Sequence, residues 1–434
     1  MRNALLLVLL ACVGYIAPAY FLQREEFWLQ LACFSAEFAI YFWCIKKFSF
    51  SFKFSLFICV LPRLVWLAST PVMSDDYHRF YWDGELVEQH MDPYESTPYF
   101  LEGQKYTDTD ERAKVFKHLN SKSYYSSYPP FNQVLFFIAS STGSEVEFIV
   151  VTRCIMILAD VLILFLLFKL TRDKKIPFDP VLAYGLNPLV ITELTGNLHF
   201  EGVSMSIWLL AVWWLLKRKH VFSVLTWAIA ACTKLVPVFL LPVIWPAKNF
   251  KTAFVYSFVV VLSFGASFLL LTNFEGFQHF SESVKLYFQK FEFNASFYFI
   301  ARETGTLIKG YNPIHFVGPM MGVLFLLAGL YIVWQAVRKK ITDIFLISTL
   351  ILFAYYLLST TVHPWYSINL LIPGIIAGLY FPIAWTGLIF LSYIFYGVQY
   401  EAAYYSTVAI EYILLFVVFF KEKNRWNSVI RIKN

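Results

Sequence analysis

Two adjacent carboxylates, Asp75 and Asp76, directly follow a long apolar stretch of the sequence. Like charges this close raise each other's proton affinity, which suits a general base acting near neutral pH. Arg79 lies one helical turn beyond Asp76, where its guanidinium can hold a carboxylate or meet an anion. The alternative is an exposed helix start, with Ser74 as N-cap and the two aspartates favouring the helix dipole. Local spacing alone leaves both interpretations open.

A single cation, Lys234, stands between two short apolar segments, 220–233 and 235–247. A lysine at membrane depth costs ~3 kcal/mol on insertion scales and needs a counter-anion, so such residues are functional by default. Prolines interrupt the second segment, and we expect a broken pair that lines a cavity at membrane depth. The alternative is that Lys234 pairs permanently with Asp160, Glu193 or Glu201 and only holds the fold.

Two more polar clusters lie where apolar stretches end. The first contains Glu193, Asn197, His199 and Glu201, and the second is His363-Pro364-Trp365-Tyr366. Solvation at a span end is the simpler explanation for the first cluster, and an interfacial aromatic belt for the second. Three charges inside apolar stretches, Arg63, Arg153 and Asp160, are predicted to form structural ion pairs.

The composition decides which class of fold carries these residues. Of the 434 residues, 59% belong to the AVILMFWYC types and only 15% are charged. A soluble domain has ~25% charged residues, and a single globule cannot hide this much apolar side chain from water. Cytosolic enzymes, disordered chains and disulfide-stapled secreted modules are therefore excluded. The sequence predicts an all-α, polytopic membrane protein with a single integral membrane domain over residues 1–434.

About 13–14 membrane spans are predicted from apolar stretches near the ~20 residues that a crossing requires. The candidates are 3–21, 27–45, 54–72, 147–170, 177–196, 201–217, 220–233, 235–247, 252–272, 314–336, 341–359, 365–381, 382–399 and 404–420. Cytoplasmic connections are typically rich in Lys and Arg, so the basic clusters indicate both termini on the cytoplasmic side. These clusters are Lys46/Lys47, Arg172/Lys174/Lys175, Lys217/Arg218/Lys219, Lys248/Lys251, Arg338/Lys339/Lys340 and Lys421/Lys423/Arg425. The net charge of +6 then reflects membrane topology and does not indicate nucleic-acid binding.

Two long connections then fall on the outer side, at residues 73–146 and 273–313. The first carries the aspartate pair together with turn and aromatic signals around Tyr94 and Tyr128. The second is rich in Phe and Tyr and is predicted to be amphipathic and interfacial.

Carboxylates and cations located separately along the chain fall on this same outer side. They are Asp75, Asp76, Glu201, Lys234 and His363. Carboxylates beside Lys, Arg and His near a membrane surface suit a reaction on a lipid-linked phosphate, because the cations hold the phosphate while a carboxylate takes a proton.

The order of these motifs resembles that of the GT-C glycosyltransferases, and bacterial polyprenyl-phosphate-dependent mannosyltransferases in particular. The matching motifs are Ser74-Asp75-Asp76-x-x-Arg79-x-x-Trp82-Asp83-Gly84, Pro93-Tyr94, Tyr128-Pro129-Pro130, Gly196-Asn197-x-His199-Phe200-Glu201-Gly202, Thr233-Lys234-Leu235-x-Pro237 and His363-Pro364-Trp365-Tyr366. The resemblance runs from about Arg63 to Tyr366. A minimal member would not need the two spans before Arg63.

The resemblance implies inverting transfer of a hexose, with mannose favoured, from a polyprenyl-phosphate sugar to a glycan or lipid acceptor. The site would face the periplasm or exterior of a bacterial inner membrane, among membrane lipids. It implies Asp76 as the general base with Asp75 as its neighbour. The substrate-binding residues would be Arg79, Trp82, Asp83, Tyr94, Tyr128, His199, Glu201, Lys234, His363 and Tyr366. Neither a cofactor nor a metal is expected, and no nucleic-acid partner.

The main alternative is a secondary transporter or lipid flippase, since these proteins also have broken helices and charges inside the membrane. The sequence shows no internal repeat, and its polar residues are biased to one side instead of the midplane between matched halves. A non-catalytic scaffold is the third alternative, and it would tolerate Asp76→Asn.

Overall fold

The computed structural model of the chain describes residues 2–104, 106, 109–397 and 401–423. Its first helices are α1 (Arg2–Tyr20), α2 (Phe27–Lys47), α3 (Phe52–Val65), α4 (Asp76–Glu88), α5 (Pro98–Gly103), α6 (Asp110–His118), α7 (Pro130–Ser140), α8 (Glu145–Thr171), α9 (Pro180–Gly185), α10 (Pro188–Val190), α11 (Glu201–Leu216), α12 (His220–Thr233), α13 (Val236–Phe239) and α14 (Ile244–Ala247). The remaining helices are α15 (Phe250–Phe268), α16 (Phe274–Gln289), α17 (Phe297–Lys309), α18 (Ile314–Arg338), α19 (Ile344–Leu358), α20 (Ser367–Ile376), α21 (Phe381–Leu388), α22 (Ile394–Gly397) and α23 (Glu401–Lys421).

The described part of the chain is all-helical, as the composition predicts, and it contains no β-strand longer than an isolated bridge. Five of its helices are long and apolar enough to cross a membrane: α2, α8, α15, α18 and α23. A bent pair, Pro188–Gly196 followed by Glu201–Leu216, supplies a sixth crossing if the two helices form one span. The chain is therefore a polytopic helical membrane protein.

Fewer of the predicted spans are single long helices than the apolar stretches suggest. The predicted span 54–72 contains only the 14-residue α3, and 365–381 contains the 10-residue α20 after a 3₁₀ turn. Besides the five long helices and the bent pair, shorter apolar helices of 10–17 residues lie at several of the other predicted spans, so the predicted spans are a mixture of long and short helices. The side of the membrane on which each end lies remains a prediction, and Arg425 lies outside the described residues.

Proline explains where the predicted span 177–196 breaks. Asp179 and Asn187 each accept hydrogen bonds from backbone N–H groups of the next helix, whose first residue is Pro180 or Pro188. Proline lacks an N–H and favours the first helical position, so each such pair starts a new short helix. A π-helical turn, Ile191–Gly196, then leads into the bend of 109° before α11.

The predicted break at Lys234 is confirmed. Helix α12 ends at Thr233, Lys234 adopts an extended conformation with φ −147° and ψ 152°, and α13 begins at Val236. Pro237 and Pro242 keep the following segment in short helical pieces.

Helix α4, which begins at Asp76, is held in place by α7. At Gly84 a Cβ would lie 2.6 Å from the carbonyl oxygen of Phe136, so only glycine allows the two helices to approach this closely. Phe80 stacks on Phe136 at 4.8 Å between ring centroids, and Trp82 is fully buried. This packing fixes the direction in which the first turn of α4 presents its carboxylates.

The three charges predicted to pair within the membrane behave differently from one another. Arg63 and Asp160 form a fully buried ion pair, with Nε 2.6 Å from Oδ2. Arg153 instead donates to the carbonyl oxygens of Thr195, Gly196 and Leu67. Its guanidinium therefore satisfies the carbonyl oxygens at the end of the π-helical turn. The predicted ion pairing is confirmed only for Arg63 and Asp160.

Segment 273–313 forms two helices, α16 and α17, which each expose one face and bury the other. Between them Phe293 pairs with the turn that precedes α20. Its N–H donates to the carbonyl of Thr360, and its carbonyl accepts from the N–H of Val362. This bridge joins the segment to the turn that carries His363.

Candidate functional site

A cavity of about 790 Å³ collects side chains from widely separated parts of the sequence. Its wall is formed by the start of α4, the loop 120–129, the break after α12, helix α16 and the turn 359–366. Of the residues predicted from the sequence, those lining it are Asp75, Asp76, Arg79, Tyr128, Glu201, Lys234, His363 and Tyr366.

Asp76 is the first residue of α4 and its carboxylate faces the cavity. Nδ2 of Asn120 donates a hydrogen bond to its Oδ1 at 2.9 Å. Burial raises the pKa of Asp76 above its ordinary value, and the charges of Glu201 and Asp75 act in the same direction. The Asn120 hydrogen bond and the positive charge of Lys234 oppose this rise. A carboxyl with a raised pKa is a better proton acceptor than an ordinary aspartate.

Asp75 has a different partner from its neighbour. Its Oδ2 lies 2.6 Å from Nη1 of Arg24, a residue in the connection between α1 and α2. Arg24 also lies over the ring of Tyr396, 5.1 Å from its centroid. The two adjacent carboxylates therefore have different partners, an arginine for Asp75 and an amide for Asp76.

Lys234 is paired in the structure. Its Nζ lies 3.0 Å from Oε1 of Glu201 and 5.3 Å from the ring centroid of Tyr128. The Lys234 side chain is 22% exposed and that of Glu201 is 3% exposed, and both residues line the cavity. The pair matches the alternative in which Lys234 is held by a carboxylate, and it also leaves ammonium protons facing the cavity.

His363 and His199 belong to one aromatic stack. The ring of Trp365 lies between them, 4.5 Å from His363 and 3.6 Å from His199. Burial, and then the charge of Lys234, lower the pKa of His363 to about 3. His363 is thus neutral in the working range and cannot supply a positive charge to a phosphate. His199 stands behind Trp365, with its Nε2 3.5 Å from Oε2 of the buried Glu193.

Arg79 lines the cavity, but its guanidinium is already bound. Its Nε lies 2.6 Å from Oδ1 of Asp83, and Nη1 donates to the carbonyl of Tyr124 at 2.9 Å. Asp83 is fully buried and also accepts hydrogen bonds from Ser126 and Gln133. The two residues hold the loop 120–129 against α4.

Two other predicted residues, Trp82 and Tyr94, are not in the cavity lining but pack behind it. Trp82 packs against Phe116 and Tyr106. The hydroxyl of Tyr94 donates to the carbonyl of Tyr128 at 2.7 Å, while its ring packs on Phe268. Trp82 and Tyr94 therefore position the cavity wall.

Sequence reasoning missed several residues of the cavity. They include Arg24, Asn120, Tyr287 and Tyr396. Arg24 falls in the first connection on the predicted outer side, so the charge pattern offered a signal for it. Asn120 is an isolated amide in a polar loop, and its type and position carry no such signal.

Within the described ranges, no cluster of three or more His, Cys, Asp or Glu side chains is arranged to hold a metal ion. The polar groups of the cavity include the carboxylates of Asp75, Asp76 and Glu201, the ammonium of Lys234, the guanidinium groups of Arg24 and Arg79, and several tyrosine hydroxyls.

Residues 31–248, half of the chain, match the family model described as alpha-(1->6)-mannopyranosyltransferase, N-terminal domain. The chain belongs to the alpha-(1->6)-mannopyranosyltransferase family. No curated protein matches it in sequence. Membership of the mannopyranosyltransferase family makes the chain a glycosyltransferase, as the order of its motifs predicts, and favours an enzyme over a transporter or scaffold. The matched range contains Asp76, Glu201 and Lys234, whereas Arg24 and His363 lie outside it.

Proposed function

We propose that this protein transfers mannose from polyprenyl-phosphate mannose to an acceptor hydroxyl on the non-cytoplasmic face of a bacterial cell membrane. The observation that carries the proposal is the meeting of Asp76 and Lys234 in one cavity, where the two side chains interact electrostatically. During sugar transfer from a phosphate, the acceptor hydroxyl loses a proton and the leaving phosphate gains negative charge. A base can take the proton and a cation can stabilise the phosphate.

The reaction we propose is a single displacement at the anomeric carbon. The acceptor oxygen attacks this carbon, the bond from the carbon to the phosphate oxygen breaks, and polyprenyl phosphate leaves with the electron pair. The acceptor proton passes to Asp76. Displacement from the opposite face inverts the anomeric centre, so an alpha-(1->6) product requires a β-linked donor and a primary hydroxyl as acceptor.

Asp76 suits the role of general base because of its surroundings. Burial raises its proton affinity, while Asn120 and the charge of Lys234 keep the ionised form accessible. The hydrogen bond from Asn120 occupies Oδ1 and leaves Oδ2 available to the acceptor hydroxyl. Positioned bases of this kind typically contribute roughly 10²–10⁴-fold to a rate.

Lys234 would meet the phosphate of the donor. An ammonium carries three donor protons, so it can keep its contact with Glu201 and still bind a phosphate oxygen. Negative charge grows on the leaving phosphate in the transition state, and a fixed cation stabilises it there more than in the ground state.

A second, apolar cleft supports a lipid-linked donor. It has a volume of about 360 Å³ and shares Phe239, Phe288 and Tyr355 with the main cavity. It continues along α18, where Val323 and Leu326 are exposed. A polyprenyl chain entering from the membrane can occupy this cleft while its phosphate reaches Lys234.

The proposal is tested with purified protein in lipid nanodiscs and a soluble mannoside acceptor. We expect mannosyl transfer from polyprenyl-phosphate mannose and none from GDP-mannose, and linkage analysis of the product should show an alpha-(1->6) bond. Transfer from GDP-mannose with none from the lipid-linked donor would contradict the proposal.

A further inference from the structure

The connection between α1 and α2 contributes one side chain to the cavity, Arg24. The hydroxyl of Tyr20 donates to the carbonyl of Val65 at 2.7 Å, which fastens the end of α1 to the end of α3. From the other side, a Cβ at Gly397 would lie 2.9 Å from the carbonyl oxygen of Glu25, so the end of α22 packs closely on this connection. Arg24 is therefore held between the first and last parts of the chain.

The guanidinium of Arg24 has three neighbours. Nη1 lies 2.6 Å from Oδ2 of Asp75, Nε lies 3.2 Å from Oε1 of the exposed Glu25, and the ring of Tyr396 lies beneath it. Asp75 directly precedes Asp76, and without Arg24 its carboxylate would lose this positive partner next to Asp76.

We infer that Arg24 is a positioning residue for the transfer reaction, which holds the Asp75 carboxylate away from Asp76 and neutralises its charge. The inference rests on the proposed role of Asp76. It assigns a function in the active site to the connection between α1 and α2, which precedes the range that matches the family.

The other charged and titratable groups around Asp76 determine how far Arg24 can alter the proton affinity of Asp76. Glu201 and Lys234 form a pair of their own, 3.0 Å apart. The tyrosines that interact with Asp76 are Tyr128, Tyr287, Tyr366, Tyr393 and Tyr396. Since these tyrosines are neutral in the working range and Lys234 is matched by Glu201, Asp75 is the carboxylate whose compensation depends on Arg24.

The test is the pH dependence of kcat/KM in four variants: Arg24→Gln, Arg24→Lys, Asp75→Asn and the double variant Arg24→Gln/Asp75→Asn. Without Arg24 the charge of Asp75 favours protonation of Asp76, so the acid limb of Arg24→Gln should move to higher pH by about one unit. Asp75→Asn should move it to lower pH, and the double variant should return it close to that of the parent. Arg24→Lys should resemble the parent.

Arg302→Gln is the matched control, because Arg302 on α17 forms ion pairs with Glu292, before that helix, and with Glu303, and it is not part of this cavity. Its acid limb should coincide with that of the parent. An Arg24→Gln limb that coincides with the parent, or a double variant whose limb stays with Arg24→Gln, overturns the inference. Parental activity in Asp76→Asn would instead overturn the proposed function itself, so the two failures are distinguishable.

Discussion

Nζ of Lys234 lies 3.0 Å from Oε1 of Glu201, at the point where the helix break after α12 meets the start of α11. The carboxylate is buried and the ammonium is partly exposed to the cavity. This pair gives a lysine in a broken helix a carboxylate partner before any substrate arrives. It also means that removing Lys234 alone leaves a buried carboxylate without its partner.

The double variant Lys234→Met/Glu201→Gln therefore tests the phosphate site better than Lys234→Met. Both charges are removed together, so we expect the purified double variant to melt close to the parent without donor. It should lose the thermal stabilisation that polyprenyl phosphate gives the parent, because binding to the native state alone raises its stability.

Lys309→Met is the control, since Lys309, the last residue of α17, lies over the ring of Phe316 on α18 and outside the cavity lining. Lys309→Met should keep the full thermal stabilisation by polyprenyl phosphate. If the double variant also keeps this stabilisation, Lys234 does not belong to the phosphate site. Lys234→Arg should retain part of the activity, because it keeps the charge but changes its geometry.

The pH dependence of the parent enzyme follows from the raised pKa of Asp76. Below this pKa the carboxyl is protonated and cannot accept the acceptor proton, so kcat/KM should fall as the pH falls. The apparent pKa of this limb should lie above the ordinary aspartate value of about 3.9. A rate that stays constant down to that value would show that the base is a different group.

His363 is expected to remain uncharged during the reaction, since its pKa is lowered to about 3. His363→Gln should therefore keep the acid limb of kcat/KM unchanged, with an effect on rate no larger than that of losing one hydrogen-bonding group. The measurement is the same pH series. If the pH profile of kcat/KM in His363→Gln lacks an ionisation that the parent shows, the imidazole carries charge in the parent.

Asp83 is predicted to act on stability and not on the chemical step. Asp83→Asn leaves the buried Arg79 without its counter-charge, and loss of one partner of a buried ion pair costs about 3–5 kcal/mol. We expect a lower unfolding temperature with activity per folded molecule close to that of the parent. Glu102→Gln, at an exposed site on α5, is the control and should change neither property.

Much of this site is readable from the sequence because single residues stand out against an apolar background. Lys234 interrupts a short apolar segment, and the structure breaks the helix there. Asp75 and Asp76 follow an apolar stretch, and both line the cavity. Arg79 was expected to hold a carboxylate or to meet an anion, and the carboxylate that it holds is that of Asp83, four residues further along the same helix.

Contacts between distant segments were not readable in this way. Arg24 reaches Asp75, and Asn120 reaches Asp76, through packing of helices that no local pattern determines. The lengths of the helices within the predicted spans were not readable for a related reason. Apolar stretches mark membrane residence, but proline and capping side chains such as Asp179 decide where a helix ends.

The central claim is that Asp76 takes the acceptor proton, and the initial rate of mannosyl transfer by Asp76→Asn tests it most directly. The substitution keeps size and removes basicity, and thermal stabilisation by polyprenyl phosphate verifies that the variant is folded and binds the donor. We expect the rate to fall roughly 10²–10⁴-fold, with a smaller loss in Asp75→Asn. A folded, donor-binding Asp76→Asn protein with the rate of the parent would contradict the account.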